Sequence, residues 1–141
     1  MIRRATVEDT DAIVQMGARF LADGPYGRAT ADQHALDTFV RYLLEYGYVT
    51  CSAHGMLLGQ SFLNPITAEM TAAEIAWWVD PEHRRGSHDA LRLFTAFEDW
   101  AAHQHARAIQ VIAPVGTSLG HLYARRGYRE LETIWQKRLA A

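Results

Sequence analysis

The residues of this chain best suited to chemistry lie between Glu74 and Leu91. Glu74 heads the apolar run Ile75-Ala76-Trp77-Trp78-Val79, and apolar neighbours desolvate a carboxylate, raise its pKa and make it a stronger base near neutrality. With side chains alternating along a strand, Trp78 is expected on the same face as Glu74. Asp80-Pro81-Glu82-His83-Arg84-Arg85-Gly86-Ser87-His88-Asp89-Ala90 follows, a tight basic loop running into a helix. The first amides of a helix have no intrahelical partners, and the macrodipole makes that end positive. Gly86 and Ser87 let backbone come close, and Arg84 and Arg85 add charge suited to a phosphate. The stretch therefore reads as a buried strand, an anion cradle and an amphipathic helix.

The elements that must hold this stretch follow from periodicity. Ile2 to Ala5 is expected as a first strand. Thr6-Val7-Glu8-Asp9 forms a capping-box variant ahead of a helix to about Leu21. Ala22 to Gly27 is a loop. Ala31 to Tyr46 is a second helix, with Leu36, Phe39, Val40, Leu43 and Leu44 at helical spacing. Tyr48 to Ala53 and Met56 to Leu63 are strands flanking a His54-Gly55 turn. Ala73 to Val79 carries apolar residues on both faces, as a covered central strand does, and Pro81 stops it. Ala90 to Gln104 is a helix, Ala108 to Ala113 a strand, and Ser118 to Arg126 a short helix capped by Gly127. Tyr128 to Leu139 is expected to supply one or two last strands. The order is β-α-α-β-β-β-α-β-α-β(-β), an α/β architecture on one twisted sheet.

Two segments of this frame resemble the GNAT superfamily of N-acetyltransferases. Its loop pattern Arg/Gln-x-x-Gly-x-Gly/Ala is matched by Arg85-Gly86-Ser87-His88-Asp89-Ala90, with Arg85 first, Ala90 last and His88 in place of the middle glycine. A register beginning at Arg84 fits less well, because it puts Asp89 last. Leu122-Tyr123-Ala124-Arg125-Arg126-Gly127-Tyr128 is similar to the family's late Leu-Tyr-x-x-x-Gly-Phe signature. The resemblance implies a mixed, mostly antiparallel twisted sheet flanked by helices, and acetyl-coenzyme A as co-substrate with its pyrophosphate on the loop. It implies direct acetyl transfer to a primary amine of a small molecule, peptide or protein. Glu74 then stands where the family has its common general base, and Tyr123 matches the tyrosine that protonates the coenzyme A thiolate. Backbone N–H groups near Trp78 and Val79 would polarise the thioester carbonyl. Acceptor choice would sit in Gly24 to Thr30 and Pro65 to Thr71.

Composition bounds the alternatives. A chain of 141 residues, 49% hydrophobic and 21% charged, suits one domain over residues 1–141. The formal net charge of -2 argues against nucleic acid as partner. A single cysteine, Cys51, allows no intrachain disulfide and fits a reducing cytoplasm. No apolar run approaches the ~20 residues a membrane span needs. His83, His103, His105 and His121 carry no metal-binding spacing, so no metal is expected. A homodimer is compatible with this reading. Two other functions stay open: a non-catalytic module of the same fold, motivated by His88 and Asp89 in the cradle, and an acetyltransferase acting on aminoacyl-tRNA. Glu69 and Glu45 stay open as bases, and the Tyr123 hydroxyl can equally be tied to backbone.

Overall fold

A computed structural model describes residues 1–26, 30–85 and 88–140. Its elements, in chain order, are β1 (Arg3–Arg4), α1 (Thr10–Asp23), α2 (Gln33–Tyr46), β2 (Tyr48–Ser52), β3 (Gly55–Leu63), β4 (Met70–Val79), α3 (Asp89–His103), β5 (Ala108–Gln110) and α4 (Leu119–Arg125). The five strands form one sheet in the order β1-β2-β3-β4-β5. All neighbours are antiparallel except β4 and β5, which are parallel and need the α3 crossover between them. The start of α1 follows the capping-box reading. Asp9 accepts a hydrogen bond from the Thr6 N–H at 2.8 Å and ends a 3-10 turn over Val7–Asp9. Asp32 caps α2 by accepting from the Ala35 N–H at 2.9 Å.

Helices cover both faces of the sheet. Met56, Leu58, Ala76 and Trp78 point toward α1 and α2, where Ile13, Val14, Val40 and Leu43 are buried. Leu57, Ala72 and Val79 point the other way, onto Leu93, Phe94 and Phe97 of α3 and Tyr123 of α4. Phe94 and Phe97 are fully buried, and each such side chain contributes roughly 1.5–3 kcal/mol by leaving water.

Three sequence expectations change. The β2–β3 turn is Ala53-His54, because Ser52 pairs with Gly55. The strand expected at Ala108 to Ala113 ends at Gln110, because the peptide of Ile112 bonds to side chains instead of a neighbouring strand. No strand forms over Tyr128 to Leu139. The large apolar residues there, Leu131, Ile134, Trp135 and Leu139, do not keep one parity, so no single face of an extended segment could bury all of them. All four are exposed.

The feature that matters most for the site is a β-bulge in β4. Leu57 pairs with Trp77 and Leu58 with Ala76, but Gly59 pairs with Glu74, which leaves Ile75 without an opposite residue. An extra residue reverses the alternation beyond it. Glu74 therefore lies on the α3 face with Ala72, Trp77 and Val79, and the expectation that Trp78 shares its face is overturned. Gly59, opposite Glu74, is required by the same packing: a Cβ there would lie 2.8 Å from the Phe97 ring.

Candidate active site

Pairing between β4 and β5 stops at Ala73 and Gln110. From Glu74 onward β4 continues to Val79 while the chain after β5 turns away, so the sheet splays at Glu74. The Glu74 side chain sits at this fork and is only 5% exposed. Burial pushes its carboxyl up to about 8, while the Ile112 N–H, hydrogen-bonded to it, pulls the other way. Tyr123 of α4 reaches the other side of the same residue: its hydroxyl donates to the Ile112 carbonyl at 2.7 Å. Burial and the nearby Glu74 raise the Tyr123 phenol well above its ordinary value, so it keeps its proton at neutral pH. Glu74 and Tyr123 are thus brought together through the backbone of Ile112, a residue that sequence reasoning passed over because its contribution is not a side chain. Glu45 and Glu69 are exposed and stand outside this arrangement.

The open edge of β4 carries the backbone groups expected to polarise a carbonyl. The Asp80 N–H bonds to the His54 carbonyl at 2.7 Å, on the β3 side. Backbone groups alternate along a strand, so the Trp78 N–H also faces β3 and the Val79 N–H faces the open edge. The Trp78 side chain packs on the α1 face, where its indole N–H donates to Asp23 at 3.1 Å.

Arg84 turns back toward the strand. Its Nε donates to the Val79 carbonyl at 2.7 Å, and its guanidinium lies 3.8 Å from Asp23 and 6.0 Å from the centre of the Trp78 ring. Arg85 is exposed at the loop. Gly86 and Ser87 of the expected cradle lie outside the described residues, as do residues 27–29 of the expected acceptor segment. Beyond them His88 caps α3 with a φ of 59°. This is the left-handed backbone that glycine adopts without cost, at the position where the loop pattern has a glycine. Asp89 and Ala90 form the first turn of α3. His83 anchors the loop from below, stacked on His54 with ring centres 3.5 Å apart.

A small cavity of about 20 Å³ opens at the fork, lined by Phe20, Glu74, Trp77, Ile112, Pro114 and Leu119. Trp77 stacks on Phe94 with ring centres 5.1 Å apart and also borders this cavity. No helix of the described residues is long and apolar enough to cross a membrane.

No protein-family model matches the chain, and no curated protein matches it. Solved structures do. A predicted acetyltransferase from Clostridium acetobutylicum with acetyl-CoA superposes with a TM-score of 0.78 at 15% identity, covering 98% of this chain and 95% of that one. The aminoglycoside 6'-N-acetyltransferase of Acinetobacter haemolyticus gives a TM-score of 0.74 at 16% identity over 99% of both chains. An aminoglycoside N-acetyltransferase in complex with CoA gives 0.74 at 12% identity, covering 100% of this chain and 95% of that one. The chain therefore has the acetyltransferase fold implied by its two sequence motifs.

Proposed function

We propose that this protein is an N-acetyltransferase that moves the acetyl group of acetyl-coenzyme A to a primary amine. The observation that carries the reading is the buried Glu74 carboxyl at the fork of β4 and β5, joined to Tyr123 through the Ile112 peptide. Acetyl-coenzyme A would supply the activated thioester. Arg85 and the first amides of α3, at His88, Asp89 and Ala90, would hold its phosphates. Arg84 contributes by fixing the end of β4, since its guanidinium is already bonded to Val79. The Val79 N–H faces the open edge and suits a carbonyl oxygen gaining charge.

Alkyl amines are mostly protonated at neutral pH, with pKa values near ~10. Glu74 is the group that takes the ammonium proton, and its raised pKa matches that task better than an ordinary carboxylate. Tyr123, protonated, donates from Oη to the departing sulfur, exchanging its bond to the Ile112 carbonyl for that transfer. The acceptor in this reading is a primary amine of a small molecule, peptide or protein, and the chain is one cytoplasmic domain.

Calorimetric titration with acetyl-coenzyme A, followed by an amine screen for coenzyme A release, tests the proposal. Binding should be measurable and Arg85→Ala should weaken it about tenfold or more, as loss of a charge-assisted contact does. A protein that neither binds the thioester nor gains thermal stability from it is no acetyltransferase.

A further inference from the structure

Resting on the acetyltransferase reading, the geometry points to Trp77 as a positioning residue for the base: its indole N–H and the Glu74 carboxyl together hold one water molecule, which relays the acceptor's proton to Glu74. Four observations converge on this. Trp77 Nε1 is the one buried side-chain nitrogen or oxygen among the described residues with no hydrogen-bond partner in the protein. A buried donor left unsatisfied is costly, so the site must give something back. The same residue lines the cavity that Glu74 lines, and the β4 bulge sets the two on one face although they are three apart in sequence. The cavity's size, about 20 Å³, suits one water, which needs roughly 10–15 Å³ and at least two polar partners.

The chemistry balances without any further reactant. Water accepts from the Trp77 N–H and donates to the Glu74 carboxylate, leaving one lone pair and one O–H. The ammonium passes a proton to the water oxygen as the water passes its own to Glu74. The amine becomes neutral, the carboxylate becomes a carboxylic acid and the water is restored. The rest of the cavity wall is apolar, from Phe20, Pro114 and Leu119, with the Ile112 peptide already bonded to Glu74 and Tyr123. Among the described residues, the titratable groups that feel Glu74 are Tyr26, after α1, and Tyr123 of α4; both phenols are raised and so stay neutral over the relevant range. The stacking of Trp77 on Phe94 fixes the ring that presents the N–H.

The test separates this pairing from the catalytic reading. Trp77 is one of four tryptophans, so its indole N–H is one of four such NMR signals, assignable by sequence-specific methods and confirmed in Trp77→Phe. In the free protein that signal should shift with pH through a single midpoint, and the shift should vanish in Glu74→Gln. With an amine found by the screen, Trp77→Phe should lose about tenfold or more in kcat/KM at pH 7 and move the midpoint of the pH profile upward. Its affinity for acetyl-coenzyme A should stay within twofold of wild type. An indole signal that ignores pH, or that titrates identically in Glu74→Gln, overturns the pairing even if the enzyme is active. A Trp77→Phe enzyme with the wild-type pH profile overturns the relay. If no amine is acetylated but the indole signal titrates with Glu74, the pairing stands and the catalytic reading falls.

Discussion

Replacing Glu74 by glutamine should make the protein more stable, and by an amount that depends on pH in a defined way. In the unfolded chain the carboxyl loses its proton around its ordinary value of 4.5, whereas in the fold it holds the proton up to about 8. The folded pKa is the higher of the two, so the stability tied to this group is fully present below pH 4.5. It is lost as pH rises toward 8, because over that interval the unfolded state binds fewer protons than the native one. Each pH unit in the interval costs about 1.36 kcal/mol, so wild type is penalised by about 3 kcal/mol at pH 7 and about 5 kcal/mol above pH 8. Glutamine is nearly isosteric, can accept from the Ile112 N–H and carries no such penalty. Urea denaturation of both proteins from pH 4.5 to 8.5 measures the difference. It should be near zero at the acid end and grow to about 3 kcal/mol at pH 7, equivalent to roughly 10 °C in Tm for a chain of this length. A difference that stays flat within about 1 kcal/mol across the range would refute the claim that Glu74 is held neutral by burial, and with it the argument for its basicity.

Tyr123→Phe should lower turnover 10²–10⁴-fold while leaving acetyl-coenzyme A affinity unchanged, because a general acid acts in the transition state. Unchanged turnover in an amine assay would leave Tyr123 only its bond to the Ile112 carbonyl. His88→Gly should stabilise the protein by roughly 0.5–1 kcal/mol, since the backbone there is left-handed and glycine adopts it freely. Thermal unfolding with and without acetyl-coenzyme A checks this. A variant that is less stable, or that loses the ligand-induced shift, would show that the His88 imidazole itself does work in the loop.

What the sequence disclosed, and what it hid, follows the reach of each physical signal. Helical periodicity over ten or more residues located α1, α2 and α3 to within three residues at each end. At the end of the loop after β4, His88 stands where the motif has a glycine and has the left-handed backbone that glycine favours. Glu74 was picked out by the resemblance at the head of the strand, and the apolar run after it correctly predicted its burial. Its partner face was misassigned, because a bulge is a property of two paired strands and leaves no periodic trace in one of them. Arg84 looked like a phosphate ligand by charge alone, and only the fold shows its guanidinium bonded to the Val79 carbonyl.

The unmatched Ile75 in β4 acts like a frameshift in a two-letter code of sides. Taking Ile75 back into the ladder, with the bulge closed, would restore strict alternation and carry Glu74 to the α1 face, with no change in the identity of any side chain. The acid–base role proposed for Glu74 therefore depends on how the strand pairs as much as on which side chains it carries. A related chain that kept every motif residue but paired this strand without a bulge would have no base at the fork. Comparing such chains by motif alone would count them as equivalent, whereas comparing the pairing of β4 with β3 would tell them apart.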